Sequence, residues 1–158
     1  MKDEIEKEYK KLQNKYQLPD IKKLEKEFDL KFDKPTSILQ DTIDGITNEI
    51  SDISKMLESL IFVDSGNPPI HLYESKMLSD KDIDTFGLLK ELMSTYWTGK
   101  RIKIQGNEKE MVSFVKKSME KWEKNIKPKI IELSEIFETG WKNAKLRELE
   151  DNHMSYLG

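Results

Sequence analysis

The chain has 158 residues, of which 36% are charged and 36% apolar, with a formal net charge of −3 and no cysteine. The missing thiols exclude a disulfide framework and any thiolate metal centre. The apolar share and its regular patterning exclude a disordered chain. The longest apolar run, Leu60 to Val63, is far too short to cross a bilayer. The charged start Met1-Lys2-Asp3-Glu4 lacks the apolar core of a signal peptide, so one cytoplasmic domain over residues 1–158 is expected.

In chain order, Ile5, Tyr9, Leu12 and Tyr16 mark one stripe of a first amphipathic helix. Leu18-Pro19-Asp20 interrupts it, and Asp20 is placed to cap a short second helix carrying Ile21, Leu24 and Phe28. Residues 1–34 therefore read as a helical hairpin packing on a bundle formed by 36–151. Ser37 and Gln40 have the spacing of a capping box. Behind them Leu39, Ile43, Ile46, Ile50, Ile53, Leu57 and Leu60 alternate steps of four and three, a strict two-position seam. The pattern predicts a helix over 37–63. Gly45 beside the seam reads either as a close backbone approach or as an incidental glycine.

The segment Asp64-Ser65-Gly66-Asn67-Pro68-Pro69 is the strongest loop signal, and 64–78 reads as the longest irregular stretch. It carries Ile70, His71, Leu72 and Tyr73. Either Ile70 and Leu72 tuck over the bundle end as a lid, or His71 and Tyr73 form a partner contact. Ser79 and Asp82 read as the start of the next helix, whose Ile83, Phe86, Leu89, Leu92, Met93 and Tyr96 form a broad stripe suited to burial. Residues 101–105 alternate like a strand and read as an extended connector between Gly99 and Gly106. Asn107 and Glu110 open the last pattern, which keeps nearly one phase across Pro128. One long helix kinked at the proline is expected, with a hairpin turning at 124–127 as the alternative.

Charge is uneven. Residues 35–65 hold six acids and one base, while residues 100–130 hold ten bases and four acids. The basic stretch either lies beside the acidic helix or meets something outside. Only Arg101 and Arg147 are arginines, so the chain is poorly equipped for bidentate phosphate recognition. Trp97, Phe114 and Trp122 would stack bases if exposed, but Trp122 falls in the apolar stripe, and nucleic acid is not the favoured partner.

Candidate chemistry is sparse. His71 and His153 have no nucleophile spaced to complete a triad. Asp80, Asp82, Asp84 and Glu91 match calcium-loop positions, but Thr85 stands where the loop needs glycine. Glu132-x-x-Glu135 followed by Glu148-x-x-Asp151 resembles the paired acidic motif of all-helical nucleoside triphosphate pyrophosphohydrolases, which would imply magnesium held by those carboxylates. On a helical wheel, however, Glu132 and Glu135 fall opposite Ile126, Ile130, Leu133 and Phe137.

A wider resemblance runs through Leu18-Pro19-Asp20, Phe28, Leu72-Tyr73-Glu74, Leu92-Met93, Trp122 and Trp141. That order is similar to a set of uncharacterised helical proteins common in archaeal genomes. It implies an all-helical cytoplasmic protein and carries no activity. The expectation is an all-α bundle of about five helices around the 37–63 helix, with a long kinked C-terminal helix. Its expected role is a non-catalytic scaffold or interaction module that meets a protein partner or its own copy and uses no cofactor or metal. The alternatives are a magnesium-dependent pyrophosphohydrolase-like enzyme or a weak nucleic-acid binder.

Overall fold

The computed structural model describes residues 1–64 and 66–147, and every regular element among them is helical. The helices are α1 (Lys2–Tyr16), α2 (Ile21–Glu27), α3 (Ile38–Ile61), α4 (Pro69–Leu78), α5 (Thr85–Gln105), α6 (Glu108–Lys121) and α7 (Lys127–Lys142). A 3-10 turn, Pro35–Ser37, leads into α3, and a π turn, Trp122–Ile126, joins α6 to α7. The backbone stays right-handed helical through both joints of that turn, so α6, the π turn and α7 are one rod. This is the long helix expected across Pro128. Proline lacks an N–H and its ring crowds the carbonyl one turn back. Here the widened turn, in which the Lys127 N–H donates to the Trp122 carbonyl, absorbs that mismatch just ahead of the proline.

The centre of the bundle is α3, as its seam predicts. All seven seam residues from Leu39 to Leu60 are buried, none above 8% exposure. Residues from α1, α2 and its C-cap, α5 and the long rod join the six from Leu39 to Leu57 in one core, including Ile5, Tyr9, Leu24, Phe28, Leu88, Leu92, Val115, Met119, Ile126 and Leu133. Asp20 caps α2 as expected, accepting from the Lys22 N–H at 2.9 Å. The Tyr9 hydroxyl donates to the Pro19 carbonyl at 2.6 Å, fixing α1 against the turn that follows it.

Several boundaries differ from expectation, each for a local reason. The capping box at Ser37 does not form. Ser37 closes the 3-10 turn with φ −108° and ψ 7°, away from the extended conformation a cap needs, and its hydroxyl donates to Asp41 at 2.7 Å. Residues 69–78 are not irregular but form α4. Pro69 occupies the first turn, where a missing N–H costs nothing. Ser79 ends α4 instead of starting α5. The cap of α5 is Asp84, which accepts from the Gly87 N–H at 2.7 Å. Residues 101–105 are the last turns of α5, closed by Gly106 at φ 70°, and their alternation is only a short sample of helix. At Gly45 the Leu30 side chain fills the space a β-carbon would take, and the Leu30 backbone passes close by, its Cα 3.7 Å from that position.

Candidate interaction surface

The α5 helix shows two faces with the same spacing and opposite fates. Its inner face is Leu88, Leu92, Thr95, Gly99 and Ile102, all buried and again stepping by four and three. At Gly99 the packing is tightest. A β-carbon there would lie 2.6 Å from Thr47 Cγ2 on α3 and 2.7 Å from Phe114 Cζ on α6, so glycine lets three helices meet. Nearby, Lys103 pairs with Asp44 of α3. The acidic α3 and the basic stretch therefore do meet within the bundle at this point.

The outer face of α5 is apolar as well. Phe86 is 53% exposed, Met93 36%, Trp97 63% and Ile104 87%. At about 100° per residue these four lie within about 40° of one line. At about 1.5 Å per residue the line is roughly 27 Å long. The other exposed large hydrophobics among the described residues, Met1, Met56, Phe62, Ile70, Ile131 and Leu146, are spread over different segments. The broad stripe expected for this helix is thus split. Leu89 and Leu92 are buried, while Phe86 and Met93 point outward.

Lysine fills the remaining heptad positions of the outer line. Lys90 lies over the Phe86 ring at 6.0 Å, and Lys100 lies over the Tyr96 ring at 5.3 Å. Trp97 meets Tyr96 edge-on, their centroids 5.3 Å apart. Arg101 borders the line and donates to Gln105 at 2.7 Å. The one acid in α5, Glu91, is turned the other way, toward Asn125 of the rod. Beyond Arg101 a groove of about 270 Å³ separates α5 from α6, lined in part by Lys117, Lys121, Ser113 and Glu110.

The other candidates from the sequence are placed as follows. His71 and Tyr73 are half-buried on α4, and Leu72 is buried. Tyr73 packs on Trp141 with centroids 5.1 Å apart, and the Trp141 indole donates to Glu74 at 2.9 Å. This pins α4 to α7. Ile70 is exposed instead of tucked beneath. Trp122 and Phe114 are buried, so of the three rings considered for base stacking only Trp97 faces outward. Glu132 and Glu135 are exposed on α7, as the wheel places them. Their proposed counterparts Glu148 and Asp151, and His153, lie outside the described residues. Asp80 and Asp82 are exposed in the α4–α5 connection, and Asp84 is spent as a cap. Among the described residues no cluster of three His, Asp or Glu side chains is positioned to share a metal ion.

A second polar site, invisible in the spacing, holds α2 against the rod. The Trp122 indole donates to Glu27 Oε2 at 2.7 Å, and Lys127 Nζ sits 2.7 and 2.8 Å from the two Glu27 oxygens. The Glu27 side chain is only 11% exposed. Lys127, and then Trp122, hold its carboxyl below the ordinary glutamate value. Phe28 packs on the Trp122 ring, centroids 5.2 Å apart. Every bond of this clasp is internal, and its role is architectural.

No family model, curated protein or solved structure matches this chain. No helix of the described residues is long and apolar enough to cross a membrane.

Proposed function

We propose that this protein is a non-catalytic helical interaction module whose docking surface is the outer line of α5. The observation that carries this reading is the alignment of Phe86, Met93, Trp97 and Ile104, all exposed, on a helix whose opposite face is fully packed. Aligned exposed apolar side chains on a folded domain mark interaction surfaces, and large aromatics concentrate binding energy there. The α3 seam serves no such role, because it is consumed inside the chain. Tyr73 is already engaged with Trp141, so α5 takes precedence over His71 and Tyr73 as the contact.

The test is site-specific photo-crosslinking in cells, with a photoreactive residue at position 97 and a control at the exposed position 120 on α6. Docking through α5 predicts crosslinks from position 97 to one recurrent segment of one protein, and none of these from position 120. Crosslinks from 97 as dispersed as those from 120 would overturn the reading.

A further inference from the structure

We infer that the occupant of the α5 line is an amphipathic helix of a partner protein that carries acidic side chains along the borders of its apolar seam. This rests on the docking surface proposed above and adds the chemistry of what binds there.

The shape of the line selects a helix. Positions 86, 90, 93, 97, 100 and 104 follow alternating steps of four and three, the register in which one helix offers knobs to the holes of another. The apolar part is a single file, narrow against the wide face that an interfacial helix sinks into a bilayer. Only two of its residues, Phe86 and Trp97, are aromatic, which gives a nucleic acid strand no continuous stacking platform.

Charge selects the partner. Lys90 and Lys100 sit in the line itself, Arg101 borders it, and Lys117 and Lys121 line the groove beyond. Among the described residues none of these five is in a salt bridge. Arg101, Lys117 and Lys121 share their groove with the single carboxylate of Glu110, and Lys90 and Lys100 lie outside it. A second copy docked in antiparallel register would set Lys90 against Lys100 at the centre of the contact, because the two lie five residues either side of Thr95. In parallel register each lysine would meet its own equivalent. Both arrangements place like charges opposite one another, which opposes pairing. A helix with glutamate or aspartate at those border positions meets cations on both sides, and its apolar seam covers Phe86, Met93, Trp97 and Ile104.

Three synthetic helical peptides of about three heptads, sharing one leucine seam, provide the test. Their border positions are all glutamate, all glutamine or all lysine. Binding to the 158-residue chain is read by fluorescence anisotropy at low and high salt. The glutamate peptide is expected to bind at least about tenfold tighter than the glutamine peptide at low salt, with the advantage shrinking as salt screens it. The lysine peptide is expected to be weakest, Trp97→Ala to weaken the glutamate peptide, and Lys90→Glu with Lys100→Glu to reverse the order. Equal binding of all three, lost in Trp97→Ala, would overturn the acidic partner and leave the interaction module standing. Two results would assign the line to a different occupant and overturn this inference: self-association abolished by Trp97→Ala, or Trp97-dependent sedimentation with phosphatidylserine-containing vesicles without peptide binding. Absence of any Trp97-dependent binding would overturn both the inference and the docking surface.

Discussion

Two helices of this protein carry heptad-spaced lines of large side chains, and only one line is buried. On α3 the line runs Leu39, Ile43, Ile46, Ile50, Ile53, Leu57, Leu60 and forms the centre of the core. On α5 it runs Phe86, Lys90, Met93, Trp97, Lys100, Ile104 and faces outward. Spacing alone does not separate them. The difference is that every position of the α3 line is aliphatic, whereas the α5 line has a lysine at every third step. Burying an ammonium without a partner is costly, so when α5 packs it turns its other face inward. That inner face contains Thr95 and Gly99. A threonine whose hydroxyl returns to the Glu91 carbonyl at 2.9 Å and a glycine that admits Phe114 are compatible with close packing.

The sharpest way to break the comparison is to cut the α3 line. Ile50→Ala should destabilise the fold by about 2–5 kcal/mol in chemical denaturation, the usual cost of emptying a packed aliphatic site. A smaller effect, about 1–3 kcal/mol, is expected from Gly99→Val, which overpacks the point where α3, α5 and α6 meet. A stability unchanged in this variant would mean that the inner face of α5 is looser than its contacts with Thr47 and Phe114 indicate.

Glu27→Gln should cost about 1–3 kcal/mol at neutral pH, because Lys127 loses its ionised partner. Its pH dependence fixes the cause. The folded-state Glu27 carboxyl lies below its ordinary value of 4.5, so at acid pH the unfolded chain binds the extra proton. The stability it supplies is complete above that ordinary value and is lost as pH falls through the folded one. The gap between wild type and Glu27→Gln should therefore narrow in urea titrations carried down through that window. A gap that stays constant with pH would show that packing, not charge, holds the clasp.

The smallest effect belongs to the outer line. Trp97→Ala should change stability by no more than about 0.5 kcal/mol, as expected for a side chain in water.

How far the sequence reveals this arrangement depends on which interaction decides each element. The α3 helix is legible because an unbroken aliphatic period has one solution, burial. The single rod through Pro128 is legible because the phase of Val112, Val115, Met119 and Trp122 carries on into Ile126, Ile130 and Leu133. The α4 helix is not, since the two prolines signal a loop, yet Pro68 is its N-cap and Pro69 opens its first turn, where no N–H is needed. The inner face of α5 is hidden because threonine and glycine do not register as apolar, and this shifts the apparent stripe onto Phe86 and Met93. A search for the same four-three rhythm that admits small residues would find Leu88, Leu92, Thr95, Gly99 and Ile102. The Glu27 clasp joins residues about a hundred positions apart, and no local pattern encodes it.

The central claim is that the α5 line lies in water while its counterpart on α3 is sealed. Hydroxyl-radical footprinting with mass spectrometry reads this directly, side chain by side chain, on the 158-residue chain at low concentration. The account predicts that Trp97, Met93 and Phe86 are oxidised at rates approaching those of the denatured chain, while Trp122, Met111 and Met119, buried in the rod's inner face, are protected. Protection of Trp97 equal to that of Trp122 would contradict it.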